Sequence, residues 1–391
     1  MELSNRITGL AGGGAAWGVF FRARRMAAAG DEITELTIGE HDVRTAPGIL
    51  DEMHRAARAG HTGYADIPGV AELRAAVADR VTRMTGVATT PANVLITPGG
   101  QAGLFAAHMA VLDPGQIGLH IDPYYATYPG TIAATGATAL AVPTRPEDGF
   151  LPRPGALAAA AETPGARSLL INTPNNPTGA VYPRTTLEEI AAVCADAGLW
   201  LISDEVYDSQ VWEGDHVSPR ALPGMEARTL VVGSMSKSHA MTGSRVGWIV
   251  GPETAIAHLG NLAITTTYGV PGYIQDAATY ALAQGPDLEE KIAAPFARRR
   301  RVALAILSRQ NRVRPVPSQG AMYLMLDIRA TGLSGLAFAD RLLDARRIAV
   351  MPGESFGMAA AGHVRIALTV DDDRLAAALS ELLNFAQEIA P

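Results

Sequence analysis

Ser234-Met235-Ser236-Lys237-Ser238, followed a few residues on by Gly243-Ser244-Arg245-Val246-Gly247, is the stretch on which the reading of this chain turns. Its centre is Lys237. The chain holds only two lysines, Lys237 and Lys291, and the other 30 of its 32 cationic side chains are arginine. Arginine keeps its proton at every physiological pH, so it cannot act as an amine nucleophile. Lys291 lies in the charged run Leu288-Glu289-Glu290-Lys291 and reads as part of a solvated helix face. Lys237 instead follows the apolar run Thr229–Gly233 and sits among small hydroxyl residues. That setting suits a lysine that forms a Schiff base. A solvated surface lysine is the blander reading and fits the context less well.

Working outward, short and continuously apolar runs recur at regular spacing. Strands are expected at Val94–Thr97, Ile117–Ile121, Thr138–Val142, Ser168–Asn172, Trp200–Asp204, Leu230–Ser234 and Val246–Val250. Helices fill most of the gaps, notably Gln101–Leu112 and Thr186–Ala197. This pattern predicts an α/β fold with a mostly parallel, seven-stranded sheet covered by helices on both faces. Ahead of it, residues 1–30 read as an arm and then a helix. Ile33–Ile38 reads as a strand, and Ile49–Ala59 and Val70–Thr85 as helices. After Pro286 the pattern changes to a helix through Ile292–Leu307, an apolar stretch Met322–Asp327 and a helix Leu336–Ala345. Strands near Ile348–Met351 and at His363–Ala367 and a closing helix Asp372–Glu388 complete it. A chain of 391 residues is long for one core, so two domains are expected. These are a large α/β domain over residues 48–285 and a smaller α+β domain built from residues 1–47 and 286–391.

The bulk composition narrows the function classes. A hydrophobic content of 48% and a mean hydropathy of +0.11 describe a globular chain able to bury a core. A net charge of −7 with no long basic tract argues against nucleic acid as a partner. The run Arg298–Arg301 falls inside a helical pattern and reads as a solvated or substrate-side face. The single cysteine, Cys194, excludes an internal disulfide framework and reads as a buried small hydrophobe. No stretch has the length of a membrane span, and the start lacks a basic-then-apolar leader. Trp17–Arg25 is amphipathic, but too short and too close to Asp31-Glu32 to read as a targeting segment. A cytoplasmic protein with no membrane partner is expected.

In a parallel α/β sheet, ligands sit outside the carboxyl ends of the strands. After the first expected strand, Pro98-Gly99-Gly100-Gln101 opens a helix, where backbone N–H groups can approach an anion. Alone this is a weak signal. After Ser168–Ile171 comes Asn172-Thr-Pro-Asn-Asn-Pro-Thr-Gly179, either an Asx–Pro turn or a mount from which Asn176 reaches a ligand oxygen. After Trp200–Ser203 comes Asp204-Glu205-Val206-Tyr207. A carboxylate at the end of a buried strand costs several kcal/mol unless it is paired. No cation neighbours Asp204 in sequence, so a ligand cation is a candidate partner, with Tyr207 in reach of the same ligand. Ser234, Ser236 and Lys237 follow the next strand, and Arg245 is placed to fork onto a phosphate. Pyridoxal 5′-phosphate satisfies all of these groups. It offers an aldehyde to Lys237, a phosphate to the Gly99-Gly100 turn and Arg245, and a ring nitrogen whose proton Asp204 retains. No metal is expected in this set.

Together these motifs resemble the class I/II aminotransferases of fold type I. The pattern Ser-x-[Ser/Thr]-Lys-x5-Gly-x-Arg-x-Gly spans Ser234 to Gly247, with Asn176-Pro-Thr-Gly179 and Asp204-Glu-Val-Tyr207 beside it. The resemblance runs nearly the whole chain, through Gly39-Glu40, Tyr64, Pro352–Gly357 and Val364-Arg365-Ile366. It implies ping-pong transfer of an amino group from an L-amino acid to a 2-oxo acid. Lys237 is then the Schiff-base lysine and proton carrier, and Asp204 the holder of the ring-nitrogen proton. Tyr207 and Asn176 bond the phenolic oxygen, and Tyr125 stacks on the ring. Gly99, Gly100, Gln101, Ser234, Ser236 and Arg245 hold the phosphate. Tyr64 of a neighbouring subunit completes that site, which implies a homodimer. Arg365 clamps the substrate α-carboxylate, aided by the Gly39 N–H and Asn176. Two residues depart from the family pattern: His41, where a proline is common, and Ser244, where a bulky residue is common. His41 is expected beside the substrate.

Longer runs, including Ser236–Gly243, His216–Pro219, Leu222–Met225, Ile274–Ala278 and Phe338–Asp344, are similar to the arginine:pyruvate branch of that family. Aspartate- or aromatic-type transaminases, and lyases on the same fold, use the same internal residues and stay open. A phosphate-binding loop of the NTPase kind needs glycine directly before its lysine, and Ser236 stands there. A transcription regulator on this fold would carry a helix-turn-helix domain, for which the residues before the first strands leave no room.

Overall fold

The computed structural model describes residues 1–10 and 17–389. The central part of the arm expected at residues 1–30, residues 11–16, therefore lies outside the described residues. The strands, in chain order, are β1 (Thr34–Glu35), β2 (Val94–Thr97), β3 (Ile117–Asp122), β4 (Thr138–Pro143), β5 (Ala166–Asn172), β6 (Trp200–Asp204) and β7 (Thr229–Ser234). They continue with β8 (Gly247–Val250), β9 (Arg314–Pro315), β10 (Tyr323–Asp327), β11 (Ile348–Ala349), β12 (Met351–Pro352) and β13 (His363–Ala367).

The expected seven-stranded sheet is present, in the order β2-β8-β7-β6-β5-β3-β4. Six strands run the same way; β8 is antiparallel to both β2 and β7. The link from β7 to β8 holds one short helical turn, Met235–Ser238, and a 3-10 turn, Thr242–Ser244, with no crossover helix. Without a crossover the chain must return beside the strand it left. The return keeps Lys237 and Arg245 at the carboxyl end of β7. Successive residues of these strands enter different cores, as the period of two requires. Val94, Ile96, Val231 and Trp248 pack under the helices Pro47–Arg58, Ala71–Thr85 and Gly272–Ala283. Leu95, Leu230, Val232 and Ile249 pack under Gly99–Val111 and Glu253–Thr265. Both faces are apolar, which is why these strands read as unbroken hydrophobic runs.

A second sheet, β12-β13-β10-β9, is antiparallel throughout. Its core includes Leu324, Val364 and Ile366, with Phe296, Phe338, Leu379 and Leu382 from the long C-terminal helices. Two of those helices carry side-chain caps: Ser334 Oγ accepts from Ala337 N, and Asp371 from Arg374 N.

Three expectations need correction. The strand expected over Ile33–Ile38 shrinks to β1, which pairs only with β11. Beyond it the Leu36 carbonyl accepts from Ala367 N and the Thr37 carbonyl from Arg365, so the segment is drawn off the ladder toward a cavity. The helix expected at Ile292 starts at Pro286 and continues through Pro295. Its first turns are too polar to show an apolar period. The run Arg298–Arg301 is not uniformly solvated, because Arg299 and Arg300 are only 4% and 8% exposed. Consecutive helical residues fan out by about 100° each, so four in a row reach inward as well as outward. Arg299 pairs with Asp42 and Asp372, and Arg300 with Glu213 and the Ser318 carbonyl. Neither lines the cavity described next. Cys194 is buried and free, as expected.

Candidate active site

The carboxyl ends of β2, β5, β6 and β7 open onto a cavity of about 360 Å³ that β10, β13 and the Ile38–Glu40 segment close from the other side. Gly39, Gly100, Gln101, Tyr125, Asn176, Asp204, Tyr207, Ser234, Ser236, Lys237, Arg245 and Arg365 all line it. They come from distant parts of the chain. What joins them is the parallel sheet, which delivers successive strand ends to one edge.

On the floor, Asp204 is buried at the last position of β6. Its Oδ2 accepts from Tyr128 Oη at 2.7 Å and its Oδ1 from Val206 N at 3.2 Å. Burial pushes its pKa up to about 6, with the Tyr128 bond pulling it back. No ion pair to Asp204 is present among the described residues. Beside it, Tyr207 Oη and Tyr323 Oη lie 2.9 Å apart, and burial together with Tyr323 drives the Tyr207 phenol well above its ordinary range. Tyr125 packs edge-on against Tyr128, ring centroids 5.8 Å apart.

Lys237 lies in the turn that caps β7, with its Nζ against the Gly39 carbonyl. Burial lowers its pKa, while the charges of Tyr323 and Glu40 pull it back up. Ser234 Oγ accepts from Ser236 N at 3.1 Å and reaches Ser236 Oγ at 2.9 Å. The helix Gly99–Val111 starts next to this turn, with the first N–H groups free of intrahelical partners. Arg245 has a left-handed φ of 51° and donates to the Thr242 carbonyl at 2.9 Å. Its guanidinium lies so close to Gly99 that a Cβ there would sit 2.3 Å from Nη2. Gly99 does not line the cavity; with a φ of 78°, it makes room for Arg245.

Arg365, in the middle of β13, is only 4% exposed. Its Nη1 donates to Asn176 Oδ1 at 2.8 Å and its Nη2 to the Thr37 carbonyl. The rings of Tyr323 and Phe356 stand 4.3 and 4.5 Å from its Cζ. Its Nε has no partner among the described residues. A buried guanidinium with a free donor suits a carboxylate entering from the cavity.

Two residues singled out from the sequence do not line this cavity. Tyr64 is 89% exposed and stacks edge-on with Tyr268 at 5.0 Å, outside the cavity of its own chain. The His41 ring is not beside the cavity but turned into the interior, edge-on to Phe296 at 5.1 Å. Burial, and then the Lys237 charge, lowers its pKa to about 4. Ser244 ends the 3-10 turn before Arg245. Sequence reasoning missed Tyr128, Tyr323 and Phe356. Tyr128 carried a signal, because Tyr125 and Tyr128 stand one helical turn apart. Tyr323 opens an apolar run that reads only as core, and Phe356 lies in the Pro352–Gly357 stretch, where nothing in its residue type marks it for the site.

A fold of this topology with a buried lysine, an unpaired strand-end carboxylate and two arginines in one cavity defines a class of enzyme. The chain belongs to the class I and II aminotransferases: the sequence model described as Aminotransferase class I and II matches residues 31–382. It is 42% identical to an arginine–pyruvate transaminase of Pseudomonas aeruginosa, over 99% of this chain and 98% of that one. It is 35% identical to an aspartate/prephenate aminotransferase of Thermus thermophilus, over 90% of each. Among solved structures, the Thermus thermophilus aspartate aminotransferase with maleate superposes with a TM-score of 0.92 at 34% identity, covering 99% of both chains. The Thermotoga maritima aspartate aminotransferase does so with a TM-score of 0.92 at 29% identity, covering 98% of this chain and all of that one. The chain is thus a transaminase of fold type I.

Proposed function

We propose that this transaminase depends on pyridoxal 5′-phosphate, takes arginine as amino donor and pyruvate as acceptor, and works by ping-pong exchange. The observation that carries the cofactor assignment is Asp204. It is a buried carboxylate at a strand end, open to the cavity and without a cation of its own. A protonated ring nitrogen fits that place, as a phosphate fits the start of the Gly99–Val111 helix with Ser234, Ser236 and Arg245. When bound, this cofactor supplies an aldehyde that takes up amino groups and a ring that draws electrons away from the substrate Cα.

The chain's own residues do the rest. Asp204 keeps a proton on the ring nitrogen. Tyr207 and Asn176 would hold the phenolic oxygen, and Tyr125 would pack on the ring. Lys237, its amine made less basic by burial, is the group that would hold the cofactor when no substrate is present and would otherwise carry the proton to and from Cα. Gly99, Gly100 and the Gln101 backbone sit at the phosphate, the first by admitting Arg245. Arg365 and the Gly39 N–H hold the α-carboxylate, with Asn176 fixing the guanidinium. The arginine donor rests on the 42% identical relative.

The same proposal includes a homodimer, in which the exposed Tyr64 reaches the phosphate of the neighbouring subunit, and a cytoplasmic location. No helix among the described residues is long and apolar enough to cross a membrane. It also includes the division into residues 48–285 and residues 1–47 with 286–391, supported by a core around β10 and β13 that is drawn mainly from the second part, with Tyr207 reaching in from the first. Hydrogen exchange that opens both parts as one unit would count against that division. The deciding experiment is an amino-donor screen with pyruvate and 2-oxoglutarate, following each half-reaction by the cofactor spectrum. Bleaching of the visible band by arginine and its return with pyruvate is expected. A protein that takes up no pyridoxal phosphate sinks the cofactor assignment, and a preference for aspartate or an aromatic donor sinks the substrate assignment.

A further inference from the structure

Tyr64 lies in the connection between the helices Pro47–Arg58 and Ala71–Thr85. Under the homodimer reading above, on which this inference rests, its phenol serves the phosphate of the neighbouring subunit. Its own chain grips the stretch around it weakly. Residues 62–65 make no hydrogen bond among the described residues. The ring that Tyr64 meets there belongs to Tyr268, edge-on at 5.0 Å. A side chain 89% exposed on such a stretch loses conformational freedom when it binds, unless the flanking backbone is already fixed.

Both flanks are fixed, and to one segment, residues 268–276. On the near side His61 is held twice. Its carbonyl accepts from Tyr273 N at 3.2 Å, and its Nδ1 meets Asp276 Oδ2 at 2.8 Å. A carboxylate only accepts, so Nδ1 carries the hydrogen. The ring lies against Gly272, the first residue of the helix Gly272–Ala283, where a Cβ would fall 2.1 Å from Nε2. Glycine at 272 is what lets the ring in. On the far side Val70 N donates to Oε1 of the buried Gln275 at 2.8 Å, and Gln275 Nε2 donates to the Val270 carbonyl at 2.8 Å. Tyr268, whose ring meets Tyr64, holds a left-handed φ of 57°, a conformation that costs a non-glycine residue energy.

The His61 and Asp276 side chains are 36% and 29% exposed, and a pair so wetted adds little to global stability. Its place gives it another effect. It ties the backbone three residues before Tyr64 to the segment that also carries Tyr268. We propose that His61, through Asp276, is a positioning residue for Tyr64 and thereby sets how tightly the neighbouring subunit holds the phosphate of its cofactor. Ordering the loop before the phosphate arrives strengthens binding without adding a contact to the ligand.

The test measures binding of pyridoxal 5′-phosphate, and of pyridoxal, which lacks the phosphate, to cofactor-free protein whose dimeric state is checked by sedimentation. Binding is followed by the visible band and by quenching of intrinsic fluorescence, and the ratio of the two affinities is read. Tyr64→Phe should lower that ratio by about 10-fold, the loss of one hydrogen bond to a charged group. His61→Ala should lower it by about 3- to 10-fold, through the phosphorylated form alone. Asp276→Ala should repeat that loss, and His61→Asn, whose amide N–H takes the place of Nδ1–H, should restore most of the ratio. The double variant His61→Ala/Tyr64→Phe should fall no lower than Tyr64→Phe. A ratio that His61→Ala and Asp276→Ala leave unchanged while Tyr64→Phe lowers it overturns the proposal and leaves the homodimer reading in place. So do losses that add in the double variant, or that are as large for pyridoxal. A ratio unmoved by Tyr64→Phe, or a wild type that sediments as a monomer, overturns both.

Discussion

Replacing Asp204 by Asn should stabilise the cofactor-free protein at alkaline pH while destroying its function. The carboxylate is buried with one hydroxyl and one backbone N–H as partners and, among the described residues, no cation. Burial lifts its pKa from 3.8 to about 6. That is about two units, and at 1.36 kcal/mol per unit the charged form costs the folded state about 3 kcal/mol. The sign follows from proton binding. Between pH 3.8 and about 6 the folded protein holds a proton on Asp204 that the unfolded chain has lost. Raising the pH through that window therefore removes stability, and above it the whole penalty is present. An amide of the same shape keeps a hydrogen bond to Tyr128 and carries no such penalty. The stability gap between Asp204→Asn and wild type, measured by urea unfolding of the cofactor-free proteins, should widen by about 1.5 kcal/mol between pH 5 and pH 8. Saturating pyridoxal phosphate should reverse the order, because a ring cation pairs with the carboxylate and not with the amide. Parallel pH profiles for the two cofactor-free proteins would refute the argument. So would normal turnover by the variant.

Arg365→Lys should lower kcat/KM for amino and oxo acid alike by roughly 10²-fold, mostly through KM, since a single ammonium cannot fork onto a carboxylate; unchanged KM values would remove Arg365 from the substrate site. Mixing Lys237→Ala with Tyr64→Phe subunits should restore about a quarter of the wild-type sites, because one site in each hybrid dimer is intact. Absence of any recovery after verified subunit exchange would show that Tyr64 serves no neighbouring site. Arg80 pairs with Asp208 at 2.6 Å and Glu289 at 3.0 Å in a buried cluster behind Tyr207. Arg80→Met should cost about 2–4 kcal/mol in denaturant unfolding, as two largely covered carboxylates lose their cation. A loss below ~1 kcal/mol would mean water or rearrangement satisfies them.

Much of the fold was legible because it is written in short-range patterns. Apolar runs of strand length between helical patterns named all seven strands of the main sheet, and β2, β6 and β13 were bounded correctly to the residue. The antiparallel course of β8 was not legible, since direction depends on whether a link carries a crossover, and the Lys237 link holds only a short helical turn and a 3-10 turn. Most of the site residues could be named because parallel strands deliver their carboxyl ends to one edge. Polar residues after those strands converge whatever lies between.

What the sequence determined by itself is therefore the chemistry-bearing set: the rare Lys237, the unpaired Asp204, the glycine turn and Arg245. Each is visible from residue type and position after a strand. Only the tertiary structure decided their partners. Tyr128 reaches Asp204 across 76 residues, Tyr323 reaches Tyr207 across 116, and Arg365 reaches Asn176 across 189. It also turned His41 into the core, paired Arg299 and Arg300, and left Glu40 open to the cavity. Periodicity states which face of an element is apolar. Which side chain a polar group meets is set by how whole elements pack, and that depends on contacts far apart in the chain.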